Sequence, residues 1–198
     1  RGIAVTAEVT PHHLLLTEEL VRSFDPVFKV NPPLRRDEDV QALRAALADG
    51  TIDTVGTDHA PHTAETKQCE WTIAAMGMTG LETALPVVQE AMVETGLLDW
   101  AGVARVFSAT PARIAGLSDQ GQVDASGVPL EGSVANLLVW DPSARGVVDP
   151  ARHATRSRNS PYAGRELPGR TVHTFYRGQR VVADGALATA YRHEPVAP

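Results

Sequence analysis

The stretch Ile52-Asp53-Thr54-Val55-Gly56-Thr57-Asp58-His59-Ala60-Pro61-His62 decides the fold. Its first six residues are mostly β-branched or small and predict a short strand. Three titratable side chains, Asp58, His59 and His62, then follow where that strand ends, and Pro61 stiffens the turn between the last two. In a parallel α/β barrel the C-terminal strand ends open into the active-site mouth, so an Asp there reaches the centre of the pocket. A carboxylate in that place suits a metal ligand or a general base. An Asp before a loop also caps turns, and spacing alone leaves both readings open.

Working outward, the flanking sequence supplies the rest of an α/β pattern. Residues 3–10 predict a strand that is apolar at successive positions, as buried parallel strands are. The preceding Arg1-Gly2 reads as the end of a helix, which predicts that the chain begins inside an α/β repeat. A short helix is expected over 14–21 and a brief extended segment at Phe28-Lys29-Val30. The prolines of Asn31-Pro32-Pro33 forbid helix and force a loop. Over 37–48, Val40, Leu43, Ala46 and Leu47 fall on one helical face, and Asp49-Gly50 ends it. Further helices are expected over 81–95 and 99–108. Ser108-Ala109-Thr110-Pro111 predicts an N-cap and a first-turn proline for another over 112–116. From about 119 the texture changes: Gly121, Gly127, Pro129, Gly132, Pro142, Gly146 and Pro150 punctuate short apolar segments. Arg177-Gly178-Gln179 predicts a hairpin turn between two strands. The expected architecture is therefore α/β over 1–118, the C-terminal part of a barrel, followed by a β-rich segment over 119–198.

Composition removes several classes of function. The 198 residues carry 18 Lys and Arg against 24 Asp and Glu, a net charge of -6, which is not the basic footprint of a nucleic-acid binder. A single cysteine, Cys69, excludes a disulfide framework and a thiolate zinc cluster, and fits a reducing cytoplasm. Any metal must then be held by oxygen and imidazole. No window approaches 18 uncharged apolar residues, so no membrane span is expected, and residues 1–5 lack the marks of a secretory signal. Neither a dinucleotide-binding glycine pattern nor a serine nucleophile elbow is present.

Other chemistry-bearing residues are few. Lys29-Val30-Asn31-Pro32-Pro33-Leu34-Arg35 places the Asn31 amide on a stiff loop, where it could hydrogen-bond a planar amide or imide ring; a Pro-rich connector with an incidental Asn is the other reading. His12 and His13 are adjacent, and on a strand they would point to opposite faces, so structural or supporting roles are expected for both. Cys69 reads as an inert or mildly reactive thiol, and His153, His173 and His193 as surface residues.

Three of these stretches together resemble the C-terminal half of bacterial class I dihydroorotases. They are Ala7-Glu8-Val9-Thr10-Pro11-His12-His13-Leu14, the Lys29–Arg35 loop, and Asp53 through His62. The resemblance extends to Gly77-Met78-Thr79-Gly80-Leu81-Glu82-Thr83, Thr110-Pro111-Ala112-Arg113-Ile114, Gly132-Ser133-Val134-Ala135-Asn136-Leu137 and Asn159-Ser160-Pro161-Tyr162-Ala163-Gly164, and so to nearly the whole chain. It implies a metal-dependent-hydrolase (β/α)8 barrel whose last strand ends at Asp58, plus a small β-sandwich built from both chain ends. It also implies reversible, zinc-dependent hydrolysis of the cyclic amide of dihydroorotate to carbamoyl-aspartate, in pyrimidine biosynthesis.

Carried over by motif, Asp58 would be both a zinc ligand and the general base that moves a proton from the attacking water to the departing amide nitrogen. His62 would bind the substrate carboxylate, Asn31 would hydrogen-bond the ring, and main-chain groups at Met76 and Gly77 would lie against it. The family's other zinc ligands, including a His-x-His pair, fall before Arg1. The resemblance thus implies a fragment, inactive alone, that needs the N-terminal half of the same enzyme. A homodimer or an aspartate transcarbamoylase partner is a further implication. Two relatives remain as alternatives: a dihydropyrimidinase or allantoinase, whose ring lacks the carboxylate, and a catalytically silent dihydroorotase-like scaffold subunit.

Overall fold

The computed structural model describes residues 3–117 and 129–188. The expected boundary at 118/119, Gly121, Gly127, His193 and the Arg1-Gly2 helix end lie outside them. Two short strands, β1 (Glu8–Val9) and β2 (Thr54–Val55), pair in parallel, Glu8 with Thr54 and Val9 with Val55. Parallel neighbours need a crossover, and the one between them carries helix α1 (Asp37–Asp49). This is the strand–helix–strand unit the sequence predicts, with shorter strands. Residues 3–8 are exposed, not buried as expected, because β1 has β2 on one side and no other pairing among the described residues.

Helix α1 forms where its periodicity places it. Asp37, Glu38 and Asp39 put negative charge in the first turn, where the helix dipole favours it. Gly50, at φ +85°, ends the helix in the left-handed conformation that glycine adopts without strain. Its Val40 and Leu47 are buried, and Leu47 joins Val9, Leu14, Val55, Val88, Met92 and Val106 in the larger of two apolar cores.

Beyond β2, the polar stretch that follows His62 contains a single turn of helix, α2 (Ala64–Lys67). The helix expected over 81–95 is shorter and composite: α3 (Ala84–Val88) widens into a π-turn over Gln89–Val93. The next repeats the device, α4 (Trp100–Ala104) running into a π-turn over Arg105–Ala109 and then directly into α5 (Thr110–Ile114). Ser108 therefore caps nothing, and Pro111 sits in the first turn of α5 with no break ahead of it. Among the described residues no helix is long and apolar enough to cross a membrane.

The C-terminal part is a four-stranded antiparallel sheet in the order β3 (Leu137–Val147), β4 (Glu166–Tyr176), β5 (Gln179–Ala183), β6 (Ala186–Leu187). Arg177 and Gly178, both at positive φ, form the two-residue turn between β4 and β5 at the predicted place. Asp184-Gly185 does the same between β5 and β6. The described residues hold this one layer of the expected sandwich, and β3 leaves Leu137, Leu138, Val139 and Val147 exposed.

The sheet is locked to the α/β part by chemistry as well as packing. A second apolar core joins Leu16, Val30, Leu34, Met78 and Val87 to Tyr162 and Leu167. Trp140 Nε1 donates to Gln89 Oε1 (2.8 Å), and Gln89 Nε2 donates to the Pro142 carbonyl (2.8 Å). Gly169, at φ +80°, lets that indole lie against β4, since a Cβ there would fall 2.1 Å from the ring. Arg165–Glu90 and Arg145–Glu94 ion pairs flank the contact.

Candidate active site

Asp58 stands three residues past β2, at the C-terminal strand end as expected, and is exposed. Its φ of +46° is left-handed, a conformation Asp tolerates better than most residues. That backbone swing lets the chain turn at once and run beside the 76–80 loop. His59 bridges to Met78 in parallel, and the Ala60 N–H donates to the Met78 carbonyl (3.0 Å). His59 Nδ1 accepts from the backbone N–H groups of Gly80 (3.1 Å) and Leu81 (3.3 Å), which leaves its ring proton on Nε2.

Four residues past Asp58, His62 meets the loop that the sequence paired with it. Its Nε2 donates to the Met76 carbonyl at 2.8 Å. Gly77, at φ +126°, makes that approach possible, because a Cβ there would fall 2.6 Å from Ala60 Cβ and 3.0 Å from His62 Nε2. The Gly77 N–H donates to the Lys29 carbonyl (2.8 Å), which ties the Asn31 loop, with its cis Asn31-Pro32 bond, to the same place. His62, Met76, Gly77 and the loop bearing Asn31 are thus joined by direct bonds. Asn31 and the Met76 side chain are exposed.

Two lysines hold this loop from behind. Lys29 Nζ donates to the carbonyls of Trp71 (2.7 Å) and Ala74 (2.7 Å), and Lys67 Nζ to those of Lys29 (3.0 Å) and Ala75 (2.9 Å). Burial, and next the nearby Lys29 charge, push the Lys67 ammonium down to about 8. Nothing in the sequence marks Lys67 as buried. A cleft of about 580 Å³ opens beside it, lined by Phe28, His62, Lys67, Arg156 and Asn159 among others; Asp58 is not on its wall.

The two adjacent histidines depart from expectation in geometry. They lie on a 3-10 turn, Pro11–Leu14, not on a strand, so both are buried and their ring centroids lie 4.5 Å apart with the planes tilted by 48°. Thr10 caps the turn, its hydroxyl accepting from the His13 N–H. His13 bonds Thr10 Oγ1 (2.6 Å) and the Pro32 carbonyl (3.0 Å), a structural role in keeping with the sequence reading. His12 is 2% exposed and its Nε2 has no partner. Burial, with the neighbouring His13 charge adding, pushes its pKa down to about 3, so it is neutral.

A metal ion would meet only part of a site here. Among the described residues no group of three or more His, Cys, Asp or Glu could hold one. Asp58 is an exposed hard donor suited to one corner, but a lone carboxylate does not satisfy a zinc ion that takes four ligands. The residues of this chain therefore do not fit zinc by themselves. His12, buried beside His13, adds no second donor.

The model of the amidohydrolase family matches residues 7–181. The chain belongs to the amidohydrolase family. Within that family it is 64% identical over 187 residues to a dihydroorotase of Streptomyces coelicolor, and 50% identical over 188 residues to one of Mycobacterium tuberculosis. Each match covers 94% of this chain and 42% of the relative, so the chain spans less than half the length of these curated relatives. Among solved structures, an L-hydantoinase from Arthrobacter aurescens is 32% identical, with a TM-score of 0.84 over 93% of this chain and 41% of that one. The fold is thus the partial amidohydrolase barrel with its β-rich extension that the sequence resemblance implied. Asn159 and Ser157 are parts of this site for which sequence reasoning assigned no role.

Proposed function

We propose that this chain carries the C-terminal half of a dihydroorotase active site. The reaction would be reversible, zinc-dependent hydrolysis of the cyclic amide of (S)-dihydroorotate to N-carbamoyl-L-aspartate, a step of pyrimidine biosynthesis. The remaining ligands, and a second sheet to cover exposed Leu137, Leu138 and Val139, would come from sequence upstream of this chain, without which it would be inactive. The observation that carries the reading is the His62 contact. With Nε2 held by the Met76 carbonyl, a doubly protonated ring keeps that bond and offers Nδ1–H to an anion. A carboxylate on the substrate ring uses such a donor; an uncharged ring does not.

In this reading a zinc ion held in part by Asp58 would supply Lewis acidity and lower the pKa of water. Asp58 accepts the proton of the attacking water on a carboxylate oxygen and delivers it to the amide nitrogen as the ring opens. His62 fixes the carboxylate, the Asn31 amide pairs with the ring's amide edge, and main-chain groups at Met76 and Gly77 bound its face. A hydantoinase-type reaction on a ring without the carboxylate is the second reading, favoured by the likeness to solved hydantoinases. The test is Asp58→Ala in a protein that joins this chain to its upstream sequence. Loss of dihydroorotate turnover by several orders of magnitude is expected, and a near-normal rate contradicts the assignment.

A further inference from the structure

We infer that Asn159, with Ser157 beside it, is a positioning residue that sets His62 and the Met76-Gly77 loop for the substrate carboxylate. The inference rests on the dihydroorotase reading for its substrate, though not for its geometry. Both residues are buried, and both come from the stretch between β3 and β4, nearly 100 positions downstream of the turn they hold.

One side chain closes three bonds at once. Asn159 Nδ2 donates to the Ala60 carbonyl (3.0 Å) and to the Gly77 carbonyl (3.2 Å), while its Oδ1 accepts from the His62 N–H (3.3 Å). Its backbone carbonyl accepts from the Thr79 N–H (3.1 Å). Ser157 Oγ donates to the His62 carbonyl (2.7 Å), accepts from the His62 N–H (3.1 Å) and touches Asn159 Oδ1. The 60–62 turn and the 76–79 loop are therefore clamped to each other through this amide.

Those two segments carry the His62 ring and the carbonyl that orients it, so the clamp sets the direction in which Nδ1 faces. Only a carboxamide supplies two N–H donors and one acceptor on a short side chain. An aspartate of the same shape would set a negative charge against two carbonyl oxygens. The clamp touches neither Asp58 nor a reacting atom, so its loss falls on substrate binding and not on the chemical step.

The experiment uses the enzyme that joins this chain to its upstream sequence, with the variants Asn159→Asp and Ser157→Ala. Two readouts are taken: KM and kcat for dihydroorotate, and the nitrogen-15 shifts of the His62 ring. For Asn159→Asp, KM rises about tenfold with kcat within about threefold, as loss of a charge-assisted contact gives. The nitrogen-15 shift of His62 Nε2 moves away from that of a nitrogen held on the Met76 carbonyl, a change that lost stability alone does not produce. Ser157→Ala moves both readouts in the same direction and less. If Asn159→Asp does not fold, Ser157→Ala decides by the same criteria. Unchanged KM and an unchanged His62 spectrum in a folded variant overturn the inference. Should the unaltered enzyme not process dihydroorotate, the substrate reading fails, and the His62 spectrum alone then decides on the clamp.

Discussion

His12 gives this fold a measurable acid sensitivity. The ring is 2% exposed, its Nε2 lacks a partner, and burial holds its pKa near 3 against an ordinary 6.5. In the unfolded chain the same imidazole takes up a proton below 6.5. A group whose folded pKa is depressed contributes stability that is present above the unfolded value and lost as pH falls from it. At about 1.36 kcal/mol per pH unit, moving from about pH 7 to about pH 4.5 removes roughly 2–3 kcal/mol through His12 alone. The control is His12→Leu, which keeps an apolar filling and cannot titrate. Because an unpaired buried polar atom already costs about 1–3 kcal/mol, the variant is neutral or more stable near pH 7. Urea titrations followed by fluorescence of Trp71, Trp100 and Trp140 give both stabilities at each pH. The unaltered chain should lose roughly 2–3 kcal/mol more than the variant over that interval. Equal losses would show that His12 is hydrated or paired, and would refute the reasoning.

Two further perturbations probe the loop that faces His62. Gly77→Ala places a methyl 2.6 Å from Ala60 Cβ at a φ of +126°, so the backbone alone should cost about 1–3 kcal/mol; thermal unfolding at an unchanged midpoint would remove the steric argument. Lys67, held at about 8 in the fold against 10.5 when unfolded, releases its proton first in the folded state. Stability relative to a Lys67→Met variant should therefore rise with pH between about 8 and 10.5, and a flat difference curve from denaturant titrations would place the ammonium in water.

How much of this was legible depended on range. Helix α1 and the Arg177-Gly178 turn were readable because their signals are local: a 3.6-residue apolar period with a closing glycine, and a glycine between two runs of strand-forming residues. Asp184-Gly185 carries an equally local signal, and a reading attentive to Asp-Gly pairs would find that hairpin too. The strand end at Asp58 was readable for the same reason. The two histidines were misplaced because the Thr10 cap and Pro11 start a 3-10 turn, which overrides alternation along a strand. Helix lengths after residue 81 were misjudged because each π-turn inserts a residue that the apolar period does not register. The Lys67 and Asn159 contacts had no readable signal. Their donors lie 38 and 99 positions from the carbonyls they meet, at Lys29 and Ala60, and polar side chains in polar segments carry no mark of burial.

The account stands most directly on one comparison of substrates. With this chain joined to its upstream sequence, kcat/KM is measured for dihydroorotate and for dihydrouracil, the same ring without its carboxylate, in the unaltered enzyme and in His62→Ala. The account predicts a preference for dihydroorotate of about a hundredfold, a contact worth roughly 2–3 kcal/mol, falling to near parity in the variant. Equal use of both rings by the unaltered enzyme, or a preference that survives His62→Ala, would contradict it.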